Sequence, residues 1–141
     1  MKAGDIIFVR GNTILSKCIR YFDKGEFSHV AIAVSDTHVL EAQYFTKSRI
    51  TPMYFTDYEI IDLGFTDEER MDTIKIGIEL VGVWYDYFQA ISYIFRTGFN
   101  NPNHYICSEM IAILLDRLGK EQFQLETNIT PNQLYKKLKG E

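Results

Sequence analysis

The sequence predicts an α+β fold: strand-like runs fill its first half, helix-start signals punctuate its second, and the two kinds of segment hardly interleave. Its 141 residues are expected to form one domain, 1–141, long enough to bury most of its apolar surface without disulfide or metal staples. An apolar share of 46% and a charged share of 24% are ordinary for a globular chain. Aromatic content is high, with ten Phe and nine Tyr, which suits either a compact core or a cleft lined by flat side chains.

The first expected strand is Asp5 to Arg10, β-branched and apolar, closed by the turn pair Gly11-Asn12. Thr13 caps a helix to about Phe22 that gathers Ile14, Cys18, Ile19 and Phe22 on one face. After a polar break at 23–26, Phe27 to Val34 reads as a strand, Ser35 to His38 as a turn and Val39 to Tyr44 as a returning strand, together a hairpin. Tyr58 to Leu63 gives a further strand. Thr66 and Glu69 form a capping box, and the helix they open carries Met71, Ile74, Ile78 and Val81 at helical spacing before stopping near Gly82. Trp84 to about Phe95 predicts another helix, and 98–103 a loop. Tyr105 and Ile106 lead to a helix starting at Cys107 whose apolar run, Met110 to Leu115, implies burial on most sides. Thr130-Pro131 opens the last helix, with Pro at the first helical position. Lys136, Lys137 and Lys139 fall at its end, where positive charge offsets the helix dipole.

Several function classes drop out. The net charge is −4 and the fifteen Lys and Arg are scattered, so no nucleic-acid partner is expected. Residues 1–5 run straight into a strand, which predicts no signal peptide. No uncharged apolar stretch reaches the roughly 18 residues that suggest a membrane span. The two cysteines, Cys18 and Cys107, make no disulfide framework, so a reducing cytoplasm with free thiols is the expected compartment. No His or Cys pair has metal-ligand spacing, and neither a Gly-rich phosphate loop nor a Gly-x-Ser-x-Gly elbow occurs; no metal or cofactor is expected. No feature specifies an oligomeric state.

Cys107 is the candidate nucleophile. At a helix start the positive end of the dipole favours thiolate, and free backbone N–H groups, including the cysteine's own, can hold an oxyanion. The competing reading is an inert core thiol, since free cysteine is among the most buried residue types. Cys18, mid-helix on the apolar face, illustrates that inert case. His29 is the candidate base. Alternation places it on one face with Ala31 and Ala33, small residues that leave room for a partner, although a strand histidine is commonly just structural. Glu41, twelve residues on, can be brought near His29 by the hairpin, where a carboxylate would fix the ring tautomer and stabilise an imidazolium; a solvated strand charge is the alternative. His38 in the predicted turn and His104 in the predicted loop are expected in solvent.

The ordered set Gly4-Asp5-Ile6-Ile7, Phe27-Ser28-His29-Val30-Ala31-Ile32, Glu41, Trp84-Tyr85-Asp86-Tyr87, Tyr105-Ile106-Cys107-Ser108-Glu109 and Thr130-Pro131 resembles the YiiX-like branch of the NlpC-type superfamily. Members are circularly permuted papain-like cysteine hydrolases, and lecithin:retinol acyltransferase-like proteins share the order of histidine strand before cysteine helix. The resemblance covers most of the chain. It implies a permuted papain-like fold, an antiparallel sheet against helices, with Cys107 as nucleophile, His29 as base and Glu41 as the third, orienting residue. It also suggests Tyr85 near the nucleophile, where the bland alternative is an interfacial aromatic. Implied substrates are a peptide, a cell-wall peptide or an acyl lipid, and some members are viral. Two other activities fit the same residues: lipid acyl transfer or thioester hydrolysis, and a non-catalytic module that keeps the cleft. Residues 74–95 are apolar and aromatic enough to raise membrane association, but Lys75, Glu79 and Asp86 interrupt them, so buried core is the better account and no stable insertion is expected. A cell-wall substrate would imply lysis, a separate export route or recycling inside the cell.

Overall fold

Strand β1 (Ile6–Val9) is apolar at every position because the sheet it joins is covered on both faces. Ile6 and Phe8 point into a large core shared with Val30, Ile32 and Leu40, while Ile7 and Val9 meet Ala31, Ala33 and Val39 on the other side. The computed structural model describes residues 1–42, 47–82, 103–120 and 129–141. Within them follow α1 (Ile14–Asp23), β2 (His29–Ala33), β3 (His38–Glu41), β4 (Arg49–Pro52), β5 (Tyr58–Ile61), α2 (Asp67–Glu79), α3 (Asn103–Arg117) and α4 (Pro131–Lys139). The sheet is antiparallel, in the order β4-β3-β2-β1-β5. Strands early and helices late give the expected α+β class.

The hairpin forms as the turn residues require, with Ala33 opposite Val39 and Ile32 opposite Leu40. β3 starts one residue earlier than expected, so His38 belongs to a strand rather than a turn; it is exposed, with Nδ1 at 2.9 Å from the Thr37 hydroxyl. The end of the expected strand, 43–46, lies outside the described residues. β4 is an element the sequence did not reveal: four residues long and ending in proline, it reads as loop, and it survives because an edge strand needs only one pairing partner.

Two helix faces differ from expectation. Ile14 of α1, assigned to an apolar buried face, is 84% exposed, and the Cys18 side chain lies outside the described residues. In α2 the capping box forms as read, Thr66 Oγ1 accepting from the Glu69 amide and a Glu69 carboxylate oxygen from the Thr66 amide. Yet Met71 and Val81 are exposed, and Ile78 is 60% exposed, while Thr73, Gly77 and Leu80 are buried. The reason is steric. A Cβ added at Gly77 would lie 3.1 Å from Val34 and 3.7 Å from Leu40, so the helix rests on its smallest residue, and periodicity of large side chains points to the wrong side. The expected helix from Trp84 to Phe95, and the loop from 98 to 102, lie outside the described residues.

α3 lies on β2, burying Met110, Ile111, Leu114 and Leu115. α3 starts at Asn103, so His104 is part of this helix and not of a preceding loop. α4 opens with Thr130 and Gln133 in a second capping box and Pro131 in the first turn. Asn132 then reaches back across the chain: Oδ1 accepts from the Phe27 amide at 2.9 Å, and Nδ2 donates to the Phe27 carbonyl at 2.8 Å. These buried bonds fix the segment leading into β2, and the rings of Phe8, Phe27 and Tyr135 close around it at centroid distances of 4.7–5.4 Å. Replacing Asn132 by Ala leaves both Phe27 backbone groups buried and unpaired. We expect Asn132→Ala to lose about 2–4 kcal/mol, read as a lower urea midpoint at unchanged slope.

Candidate functional site

His29 is the first residue of β2, opposite Val9 of β1. The β2–β3 register, carried one pair beyond Ile32 and Leu40, sets Glu41 beside Ala31 and therefore diagonal to His29 on the same face. The side chains meet: Nε2 of His29 lies 3.2 Å from Oε2 of Glu41. The space beside Ala31 and Ala33 is filled by Ile7, Val9 and Val39, with Met53 and Phe55 against them, and the Phe55 ring stands edge-on to the His29 ring at 5.6 Å. Cys107 arrives from the helix layer, packed with Val30 and Ile32 on the opposite face. Because His29 sits at the strand's end, its ring reaches the thiol there, and the Cys107 and His29 side chains are hydrogen-bonded. The structure thus brings together Cys107, His29 and Glu41. Tyr85 lies outside the described residues.

Cys107 is 1% exposed, the burial that a core thiol shows. What distinguishes it from an inert cysteine is the imidazole bonded to it. One expectation does not hold. α3 begins at Asn103, so Cys107 lies beyond the first turn; the free N–H groups belong to the residues ahead of it, and the dipole effect fades within that turn. The His29 imidazole, not a free helix end, is the polar group beside the thiol.

Glu41 has no exposed surface, and two partners from the far side of β3 hold it. Arg49, its cross-strand neighbour in β4, donates from Nε at 3.0 Å and from Nη2 at 2.8 Å to Oε1. The Tyr54 hydroxyl lies 3.0 Å from Oε1 and 2.9 Å from Oε2. Sequence reading found neither residue. The signal that could have found Arg49 is its spacing: eight residues past Glu41, it comes opposite that residue once Ile50 and Thr51 are read as a returning strand.

The titration of the group follows from these contacts. Burial works against a charged His29 ring, but bonds and charge from Cys107 and then Glu41 outweigh it, raising its pKa to about 9. Burial likewise works to raise Glu41, yet His29 foremost, then Arg49 and Tyr54, hold it below the usual carboxylate range. Burial and the Glu41 carboxylate push the Tyr54 hydroxyl up to about 12, so it remains a donor at neutral pH. An imidazole bonded to a thiol on one side and a buried carboxylate on the other is an arrangement suited to proton transfer.

Compared with known proteins, residues 1–140 match the family model described as permuted papain-like amidase enzymes, YaeF/YiiX, C92 family. Among solved structures, the metalloprotein YiiX from Escherichia coli O157:H7 is similar, with a TM-score of 0.61 at 19% identity. The alignment covers 83% of this chain but only 66% of YiiX, so this chain spans part of that protein's length, and the likeness is one of fold. A search of curated proteins gives no match. The expected YiiX-like, permuted papain-like α+β architecture is borne out.

The pH dependence of stability has a definite sign. His29 titrates higher in the folded chain than its ordinary 6.5, so its contribution is complete below about pH 6.5 and is lost as pH rises toward 9. Glu41, held low, contributes above its ordinary 4.5 and loses that contribution as pH falls. We expect urea unfolding to show a plateau between these limits and a falling stability as pH rises from 6.5 through about 9. His29→Gln should flatten the alkaline slope; the same slope in that variant would assign it elsewhere.

Proposed function

As this chain belongs to the permuted papain-like amidase family, we propose that it is a cysteine hydrolase that cleaves an amide or ester bond through a thioester on Cys107, with His29 as base and Glu41 as the orienting carboxylate. One observation carries the reading: a single imidazole is bonded to both the Cys107 thiol and the buried Glu41. Glu41 occupies Nε2, which assigns Nδ1 to the thiol. The Cys107 proton passes to Nδ1, and Sγ attacks the substrate carbonyl to give a tetrahedral intermediate. The imidazolium returns that proton to the leaving amine or alcohol as its bond to carbon breaks, forming the thioester. Water then gives up a proton to His29 and attacks the thioester, and the thiol is regenerated as the acid product leaves. Glu41 remains ionised throughout and stabilises the imidazolium at each stage.

The substrate class we propose is a peptide, cell-wall peptide or acyl-lipid carbonyl, and the proposed compartment is the cytoplasm, where a thiol nucleophile stays reduced. No helix among the described residues is long and apolar enough to cross a membrane. YiiX is described as a metalloprotein. A metal does not fit the described residues here: no cluster of three His, Cys, Asp or Glu is placed to hold one, and the Glu41 oxygens are already engaged by His29, Arg49 and Tyr54. No step is therefore assigned to a metal.

Iodoacetamide labelling at pH 6 tests the reading, because a thiol of pKa near 8.5 is only about 0.3% thiolate there. Cys107 in the folded protein should react at least roughly tenfold faster than in urea, and His29→Ala should remove the difference. Equal rates would refute the nucleophile assignment. With an activated ester, a mass increment on Cys107 that is absent in Cys107→Ala is expected; its absence in the wild type would instead favour a binding module.

A further inference from the structure

Glu41 poses a physical problem that the catalytic assignment alone does not solve. A carboxylate without exposed surface takes up a proton unless other groups keep it charged, and once neutral it no longer supports an imidazolium. It must also present one particular oxygen to the ring. The titratable groups that face it from the described elements are His29 from β2, Arg49 from β4 and Tyr54 just beyond β4. Two of these three are not part of the proposed chemistry.

Their geometry divides the carboxylate in two. Both Arg49 bonds end on Oε1, and Oε2 is left for His29. The Tyr54 hydroxyl lies within bonding distance of both oxygens and bridges them, which resists rotation of the carboxylate about its bond to Cγ. Register makes the arrangement stiff. Arg49 is the direct cross-strand partner of Glu41, so the guanidinium is delivered by the sheet ladder, and Tyr54 follows two residues after the strand ends. Arg49 is itself 49% exposed, so its own charge stays solvated while it neutralises the buried one.

We propose that Arg49 and Tyr54 are positioning residues for the Cys107–His29–Glu41 centre, keeping Glu41 ionised and turning Oε2 toward Nε2 of His29. The proposal rests on the reading of Cys107 and His29 given above, and neither positioning residue touches the reacting atoms. Removing Arg49 takes a cation from the carboxylate, and removing the Tyr54 hydroxyl takes a donor from both its oxygens. Each change favours protonated Glu41, so the centre fails at a higher pH on its acid side.

The test measures two pH profiles between 3.5 and 8 for the wild type, Arg49→Gln, Arg49→Lys and Tyr54→Phe: the Glu41 side-chain carboxyl signal by carbon NMR, and the rate of Cys107 alkylation. In Arg49→Gln both midpoints should rise by about one unit or more; in Tyr54→Phe they should rise by a smaller amount. Arg49→Lys, which keeps the charge but not the fork, should fall between wild type and Arg49→Gln. A merely structural role would lower the urea midpoint at every pH and leave both acid midpoints in place, which would overturn the proposal. Tyr54→Phe removes a single oxygen from a half-exposed side chain and keeps the test available should Arg49→Gln not fold. The two readings fail separately. A wild-type Cys107 that is no more reactive than in urea sinks the nucleophile assignment, while the NMR midpoint of Glu41 still decides the role of Arg49 and Tyr54.

Discussion

The buried Glu41 carboxylate is the constraint around which the site is arranged. Moving such a charge out of water costs several kcal/mol even after the surroundings relax, and only well-placed partners offset that cost. Here they come from three places: an imidazole one strand away, a guanidinium on the next strand in the opposite direction, and a phenol from the segment after it. β3 can carry the carboxylate only because it lies between β2 and β4. The same contacts that make burial tolerable raise the basicity of His29, so neutralising the carboxylate and preparing the imidazole are one physical event seen from two sides.

The rest of the molecule holds His29 where this can happen. Its strand is paired with β1 on one side and β3 on the other, and α3 packs against it, so the strand end that carries the ring is held by both neighbours and by the cysteine helix. The approach to that strand is clamped by Asn132 on the Phe27 backbone, a contact spanning 105 residues of sequence. Gly25 belongs to this clamp, since a Cβ there would meet the Asn132 amide at 2.1 Å. The helix nearest the C-terminus therefore helps set the position of His29, and it also packs on α3, the helix that carries Cys107.

Much of the fold was legible because its signals are local. The three helix caps at Thr13, Thr66 and Thr130 form as their side chains dictate, and the turn after Val34 makes the hairpin that brings His29 and Glu41 together. What misled the reading was contact between distant surfaces. Met71 and Ile78 look like a buried stripe until Gly77 shows which side of α2 the sheet accepts, and Cys107 looks like a helix-start thiol until the helix extends back to Asn103. β4 escaped because four residues ending in proline carry too little alternation to be seen.

From the sequence alone came the α+β class, the caps, the hairpin, and the identity of a thiol, an imidazole and a carboxylate as chemically apt residues, because each depends on short-range stereochemistry or on what a side chain is. Tertiary structure decided that these three meet, that Glu41 is buried, and that Arg49 and Tyr54 close around it. Those outcomes depend on strand register and on the packing of α3 over β2, and a charge's partners and its solvent are properties of space that no stretch of chain contains.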